Sequence, residues 1–152
     1  MHLIHGHVDI TIEDNLFIIR ANGPWNVEFF HQLHKELIIH FFHLKSLPYG
    51  TLFIPSGETL ATKEGLKVHS DFLSMAVPTP IAVVTSELKH KRLAIAQCTS
   101  VYEPANLLYG FFETFDEARE WLQRQLASPE CNTPRYTRRP MPKQSFNKHA
   151  EH

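Results

Sequence analysis

The chain has 152 residues, 43% hydrophobic and 20% charged, with a formal net charge of −1. That length suits one domain whose core needs no staples, and the near-zero charge argues against nucleic acid or an anionic membrane surface as partner. Its apolar runs are broken by His, Lys or Glu well before the ~18 residues that a membrane-spanning helix requires.

In chain order, residues 1–7 read as a leader. They lack the basic start and long apolar stretch of a signal peptide. Val8 to Ile12 alternates apolar and polar, Glu13-Asp14-Asn15 turns, and Leu16 to Arg20 follows, which predicts a β-hairpin. Gly23-Pro24 breaks the strand and Asn26 is a candidate N-cap. From there to about Leu47, Phe30, Leu33, Leu37, Phe41 and Leu44 recur at helical spacing. One apolar stripe of roughly 100° is enough to pack a helix on a sheet. Phe29, Ile38, Ile39 and Phe42 widen this one, so more than one face is expected to be covered.

Pro48-Tyr49-Gly50 stops that helix, and Thr51 to Ile54 reads as a strand buried on both faces. Thr62 to Gly65 opens a second helix that carries Leu66, His69, Phe72, Leu73 and Ala76. Ile81 to Thr85 is the next strand. A third helix is predicted over about 87–102, with Ile95, Ala96 and Thr99 facing inward and a basic first turn, Lys89 to Arg92. Leu107 to Phe112 is the last strand. Thr114 and Glu117 form a capping box ahead of Ala118, Trp121, Leu122 and Leu126, an amphipathic fourth helix. Beyond 127, Pro129, Pro134, Pro140 and Pro142 lie among Arg, Ser and Asn, which predicts a mobile Pro/Arg-rich tail over 128–152. The expectation is one α/β domain over 8–127. Its mixed sheet would have about five strands and about four helices, a hairpin followed by successive right-handed βα turns. Cys98 and Cys131 fall in a predicted helix and the tail, where reduced thiols and a cytoplasmic location are expected.

Gly23-Pro24-Trp25-Asn26 with Glu28, then Phe112, Phe115-Asp116-Glu117-Ala118 and Trp121-Leu122, resemble the SpoIIAA-like (STAS-like) bacterial proteins over about residues 8–126. The resemblance implies a small α/β domain of successive βα turns. Relatives by fold serve in phosphorylation-controlled protein binding or hold lipids between helix and sheet. The anti-sigma antagonists of this fold carry a phosphorylatable Ser in an Asp-Ser-Ser-Gly-type motif before the second helix. The matching stretch here, residues 55–62, lacks that motif. Ser56, Thr59 and Thr62 remain as hydroxyls near a helix N-terminus, where the dipole favours a phosphate, although turn and capping roles explain them more simply.

Eleven histidines raise the question of a metal. His31/His34 and His40/His43 are i, i+3 pairs, but a stable site needs three or four supported ligands, so no metal is expected. No cofactor is expected either, since the glycines form no phosphate-cradling loop. No serine sits in a nucleophile elbow, and Cys98 reads as a small core residue. The chain is therefore expected not to be an enzyme, with His34 the best acid–base residue were it one. The favoured reading is a non-catalytic module that binds a protein or a second copy of itself. The alternative is a carrier of a small apolar or lipid-like ligand between helices and sheet, with Phe30, His34, Leu37, Phe41, Phe72 and Met75 as candidate lining residues.

Overall fold

A computed structural model describes residues 6–41 and 48–128. Strands β1 (His7–Glu13) and β2 (Leu16–Asn22) pair antiparallel, and Asp14 at the turn has φ 56, in the left-handed region that tight hairpin turns use. Then follow α1 (Val27–Phe41), β3 (Gly50–Ser56), α2 (Lys63–Met75), β4 (Ile81–Val84), α3 (Lys91–Tyr102), β5 (Tyr109–Phe112) and α4 (Phe115–Ala127). The sheet order is β1-β2-β3-β4-β5, and β2 to β5 run parallel in chain order. When successive parallel strands advance in one direction, crossovers of one hand leave their helices on one face. Thus α1, α2 and α3 cover one side, and α4, following β5, returns across the other.

The strand pleat divides the core accordingly. Leu16, Ile18, Leu52, Ile54, Ala82 and Val84 meet Ala118, Trp121 and Leu122 of α4. On the opposite face, Phe17 and Ile19 meet Phe29, Phe30, Leu33 and Leu37 of α1. Ile81, Val83, Tyr109 and Phe111 meet Val101 and Tyr102 of α3. Helix ends follow the local chemistry. The Phe29 amide donates to Asn26 Oδ1 at 3.0 Å, the Gly65 amide to Thr62 Oγ1 at 3.0 Å, and Thr114 with Glu117 closes the capping box.

Three sequence expectations change. First, Phe29 lies in the core, while Ile38 and Ile39 are half-exposed. At 100° per residue Ile38 and Ile39 flank the exposed Lys35 on opposite sides, so they do not make one continuous apolar face. Phe42, which completed the expected wide face, and Leu44, the last position of the main stripe, lie outside the described residues, as do residues 1–5 and 129–152. Second, α3 starts at Lys91 rather than near 87. The Gly57 amide donates to the Glu87 carbonyl and the Lys89 amide to the Gly57 carbonyl, so residues 87–89 are spent on bridging the loop after β3. The cationic Lys91 at that helix start, unfavourable against the dipole, is paired with Glu113. Third, Ile95 packs on the core as expected, but Ala96 is exposed, and the buried positions Ala94, Val101 and Tyr102 centre the inward face about a third of a turn away.

Candidate functional site

The layer between α1, α2, α3 and the sheet is not solid. It holds a cavity of about 100 Å³ whose walls include Phe29, Phe30, Leu37 and Phe41 of α1, Leu66, His69 and Phe72 of α2, Cys98 and Val101 of α3, and Thr51, Phe53 and Pro55 of β3. A cavity needs about 10–15 Å³ by this measure to admit one water, and an apolar one of about 150 Å³ is large enough for benzene. The space therefore suits part or all of a small organic molecule.

Its two ends differ. The helices of βαβ units run antiparallel to their strands, so residues after β2 and β3 mark one end and residues before β4 mark the other. Val77 and Thr79, between α2 and β4, line the second end. Val77 is 73% exposed and Met75 beside it 85%, so this end reaches the surface through an apolar rim. Trp25 and Thr59 close the first end, and both are buried, at 7% and 2% exposure. Their segments are tied together: the Trp25 amide donates to the Leu60 carbonyl at 2.8 Å and the Thr62 amide to the Trp25 carbonyl at 3.0 Å. Only a glycine fits at position 23, because a Cβ there would collide with the Glu58 carbonyl oxygen. At this closed end Trp25 Nε1 and Thr59 Oγ1 have no hydrogen-bond partner among the described residues. Buried polar atoms are almost always paired; these two are sealed within the protein, and Trp25 Cδ1, bonded to Nε1, lies against Gly6 just before β1.

A histidine pair stands behind the α1–α2 wall. His34 Nε2 and His69 Nδ1 are 2.8 Å apart, and the His34 ring stacks on Phe72 with centroids 3.9 Å apart. The His69 ring stacks in turn on Phe30 at 5.0 Å. One ring must donate and the other accept, which two neutral imidazoles do and two imidazoliums cannot. Burial, with a smaller push from His31, lowers His34 from 6.5 to about 4. Burial and then His34 lower His69 to about 3. On α3, burial pushes the Cys98 thiol up to about 12, and it is hydrogen-bonded to Tyr102.

The lining residues expected from sequence divide cleanly. Phe30, Leu37, Phe41 and Phe72 line the cavity. His34 stands one layer back, touching the cavity wall through Phe72 and His69, and Met75 points to solvent at the rim. Of the loop hydroxyls, Ser56 donates to the Ala21 carbonyl at 3.5 Å and Thr62 caps α2, while Thr59 is enclosed against the cavity. Sequence reasoning missed Trp25, His69 and the α3 contribution. Trp25 read as part of a turn motif, and the α3 residues followed from a helix start placed too early. Among the described residues no group of three or more His, Cys, Asp or Glu is placed to hold a metal, and no helix is long and apolar enough to cross a membrane.

No family model matches the chain, and no curated protein matches it. Among solved structures it is similar to an uncharacterised protein of the DUF3478 family with a SpoIIAA-like fold, from Shewanella loihica PV-4. The two are 15% identical, with a TM-score of 0.56, over 80% of this chain and 97% of that one. The likeness establishes a SpoIIAA-like α/β fold.

Proposed function

We propose that this SpoIIAA-like domain is a non-catalytic carrier or receptor for a small apolar ligand, bound between α1, α2, α3 and the sheet. The observation that carries the reading is the cavity of about 100 Å³ with aromatic and aliphatic walls, opening at Val77. Ligand sites are typically apolar hollows with a few placed polar groups, and this one has that composition. A binding role is supported over a catalytic one because the titratable groups at the wall are far from working range. His69 sits at about 3 and Cys98 at about 12, whereas a general base or nucleophile is tuned toward neutral pH. His34 neither reaches the cavity nor keeps a free Nε2, since that nitrogen is engaged by His69.

Titration of ¹⁵N-labelled protein with toluene tests the reading. Saturable amide shifts confined to the three helices and the facing side of β2–β4 are expected. Shifts that never saturate, or that scatter over the α4 face, would contradict it.

A second reading, association with a protein or a second copy, draws on the apolar rim. His34 stacks on Phe72, so Ile38 one turn later on α1 comes near Met75 and Ala76 at the end of α2. With Val77 these make a small exposed apolar strip. Sedimentation at micromolar concentration tests it. A strict monomer, unchanged by Met75→Glu, counts against self-association through that strip.

A further inference from the structure

We propose that two copies of this chain associate edge to edge, β1 pairing antiparallel with the β1 of the second copy about a two-fold axis through Ile10. The two sheets would run on as one, with both α1 helices on the same face. This interface is independent of the cavity.

The observation behind it is the outer edge of β1. A sheet edge presents unpaired N–H and C=O groups, and proteins usually blunt it with a short strand, a proline, a lysine or a bulge. The other edge strand, β5, has only four residues. β1 has seven, holds an unbroken register with β2 from His7 to Glu13, and contains no Pro, Gly or Lys. Among the described residues no backbone hydrogen bond joins β1 to any element except β2. Its two faces differ. Val8, Ile10 and Ile12 stand opposite Ala21, Ile19 and Phe17 on the α1 side, and Ile12 is 36% exposed. His7, Asp9, Thr11 and Glu13 lie exposed on the other face.

Backbone geometry and charge select one register. Outward-pointing N–H and C=O groups fall on alternate residues, so the symmetry axis must pass through a residue and not between two. Only an axis through Ile10 pairs all seven residues. Centred on Asp9, two carboxylates would face each other; centred on Thr11, Asp9 would face Glu13 twice. Like charges directly opposite are destabilising. Centred on Ile10, His7 faces Glu13, Thr11 faces Asp9, Val8 faces Ile12 and Ile10 faces its own copy. An imidazole and a hydroxyl then stand across from carboxylates, and Asp9 meets its copy only on the diagonal, at about 7–8 Å. The apolar residues pair on the opposite face.

The helices have room. α1 packs on Phe17 and Ile19 of β2. β2 and its copy would lie three strand spacings apart, about 14 Å, against the roughly 8–10 Å at which helices pack. Ile39, on the side of α1 away from His34 and α2, is 51% exposed and would stand beside that gap.

Sedimentation velocity of the full chain, from micromolar to submillimolar concentration, tests the pairing with wild type, Thr11→Glu, Thr11→Lys, His7→Glu and Met75→Glu. Wild type is expected to dimerise. Thr11→Glu sets a carboxylate opposite Asp9 at two symmetric places and should weaken the dimer about tenfold. Thr11→Lys sets a cation there and should hold or tighten it, although a lysine on an edge ordinarily prevents pairing. His7→Glu, opposite Glu13, should weaken the dimer as Thr11→Glu does, and it answers in place of Thr11→Glu if thermal unfolding shows that variant not to fold. Met75→Glu, at the end of α2, should leave it unchanged. A wild type that stays monomeric throughout overturns the proposal. So does a dimer that Thr11→Glu and His7→Glu leave intact, or one that Thr11→Lys and Thr11→Glu weaken alike. The cavity reading survives each of these results, because toluene uptake reports on it separately.

Discussion

His34 Nε2 and His69 Nδ1 meet at 2.8 Å across the α1–α2 contact although they are 35 residues apart in the chain. Each ring is also sandwiched against a phenylalanine, His34 on Phe72 and His69 on Phe30. The pair therefore fastens the two helices that form one wall of the cavity, and the bond is lost once both rings are protonated, because neither then has an acceptor nitrogen.

That relationship predicts an acid sensitivity. Folding lowers both groups from 6.5, to about 4 and about 3, so the unfolded chain binds more protons than the folded one below pH 6.5. Stability is then fully present above 6.5 and falls as pH drops toward 4. At pH 5 the loss is about 2 kcal/mol for each imidazole kept neutral. Urea unfolding at pH 7.5 and pH 5 measures it. The double variant His34→Phe/His69→Phe, which replaces both partners by rings of similar shape, should lose most of the pH dependence at modest cost at pH 7.5.

Filling the cavity should separate binding from stability. Ala94 is buried on α3 and lines the hollow. Ala94→Ile adds three carbons where there is room, so the unfolding free energy is expected to stay within about 1 kcal/mol of wild type. Toluene binding should be lost. A destabilisation of several kcal/mol instead would show that the space beside Ala94 is already filled.

The closed end depends on Gly23. Any side chain there meets the Glu58 carbonyl oxygen, and the loop that presents Thr59 must move. Gly23→Ala is expected to destabilise by about 3 kcal/mol, the upper part of the range for overpacking. Amide shifts in its spectrum should concentrate at residues 57–62. A variant as stable as wild type would mean that this loop does not lean on the turn.

Much of the fold could be read from the chain. The Val8/Ile10/Ile12 alternation, the apolar strands after Pro48 and Pro80, and the Thr114/Glu117 box each carry a local signal with its own physical cause, and each is where it was expected. The site was only half legible, for a reason of range. Phe30, Leu37 and Phe41 follow from the α1 period, but whether a helical residue faces sheet, neighbour or water depends on how the helix rotates against its partners. Hence Phe29 went to the core and Ile38 and Ile39 did not. The His34–His69 contact, the Gly57–Leu88 bridge that delays α3, and the meeting of Trp25 with the Thr59 loop all join distant segments. No local period encodes them.

Helix α4 supplies a control remote from the cavity. Thr114→Ala removes the acceptor for the Glu117 amide, at 3.1 Å, and should cost about 1 kcal/mol. Because α4 packs on the other face of the sheet, the toluene affinity should not change. A parallel loss of affinity would tie the two layers together.

The most direct test of the carrier reading is native mass spectrometry of the freshly purified chain, compared with the same sample under denaturing conditions. A small-molecule adduct that survives gentle ionisation, vanishes on denaturation and is absent from Ala94→Ile is the predicted result. A single mass equal to the bare polypeptide in both conditions, from protein that also fails to take up toluene, would contradict it.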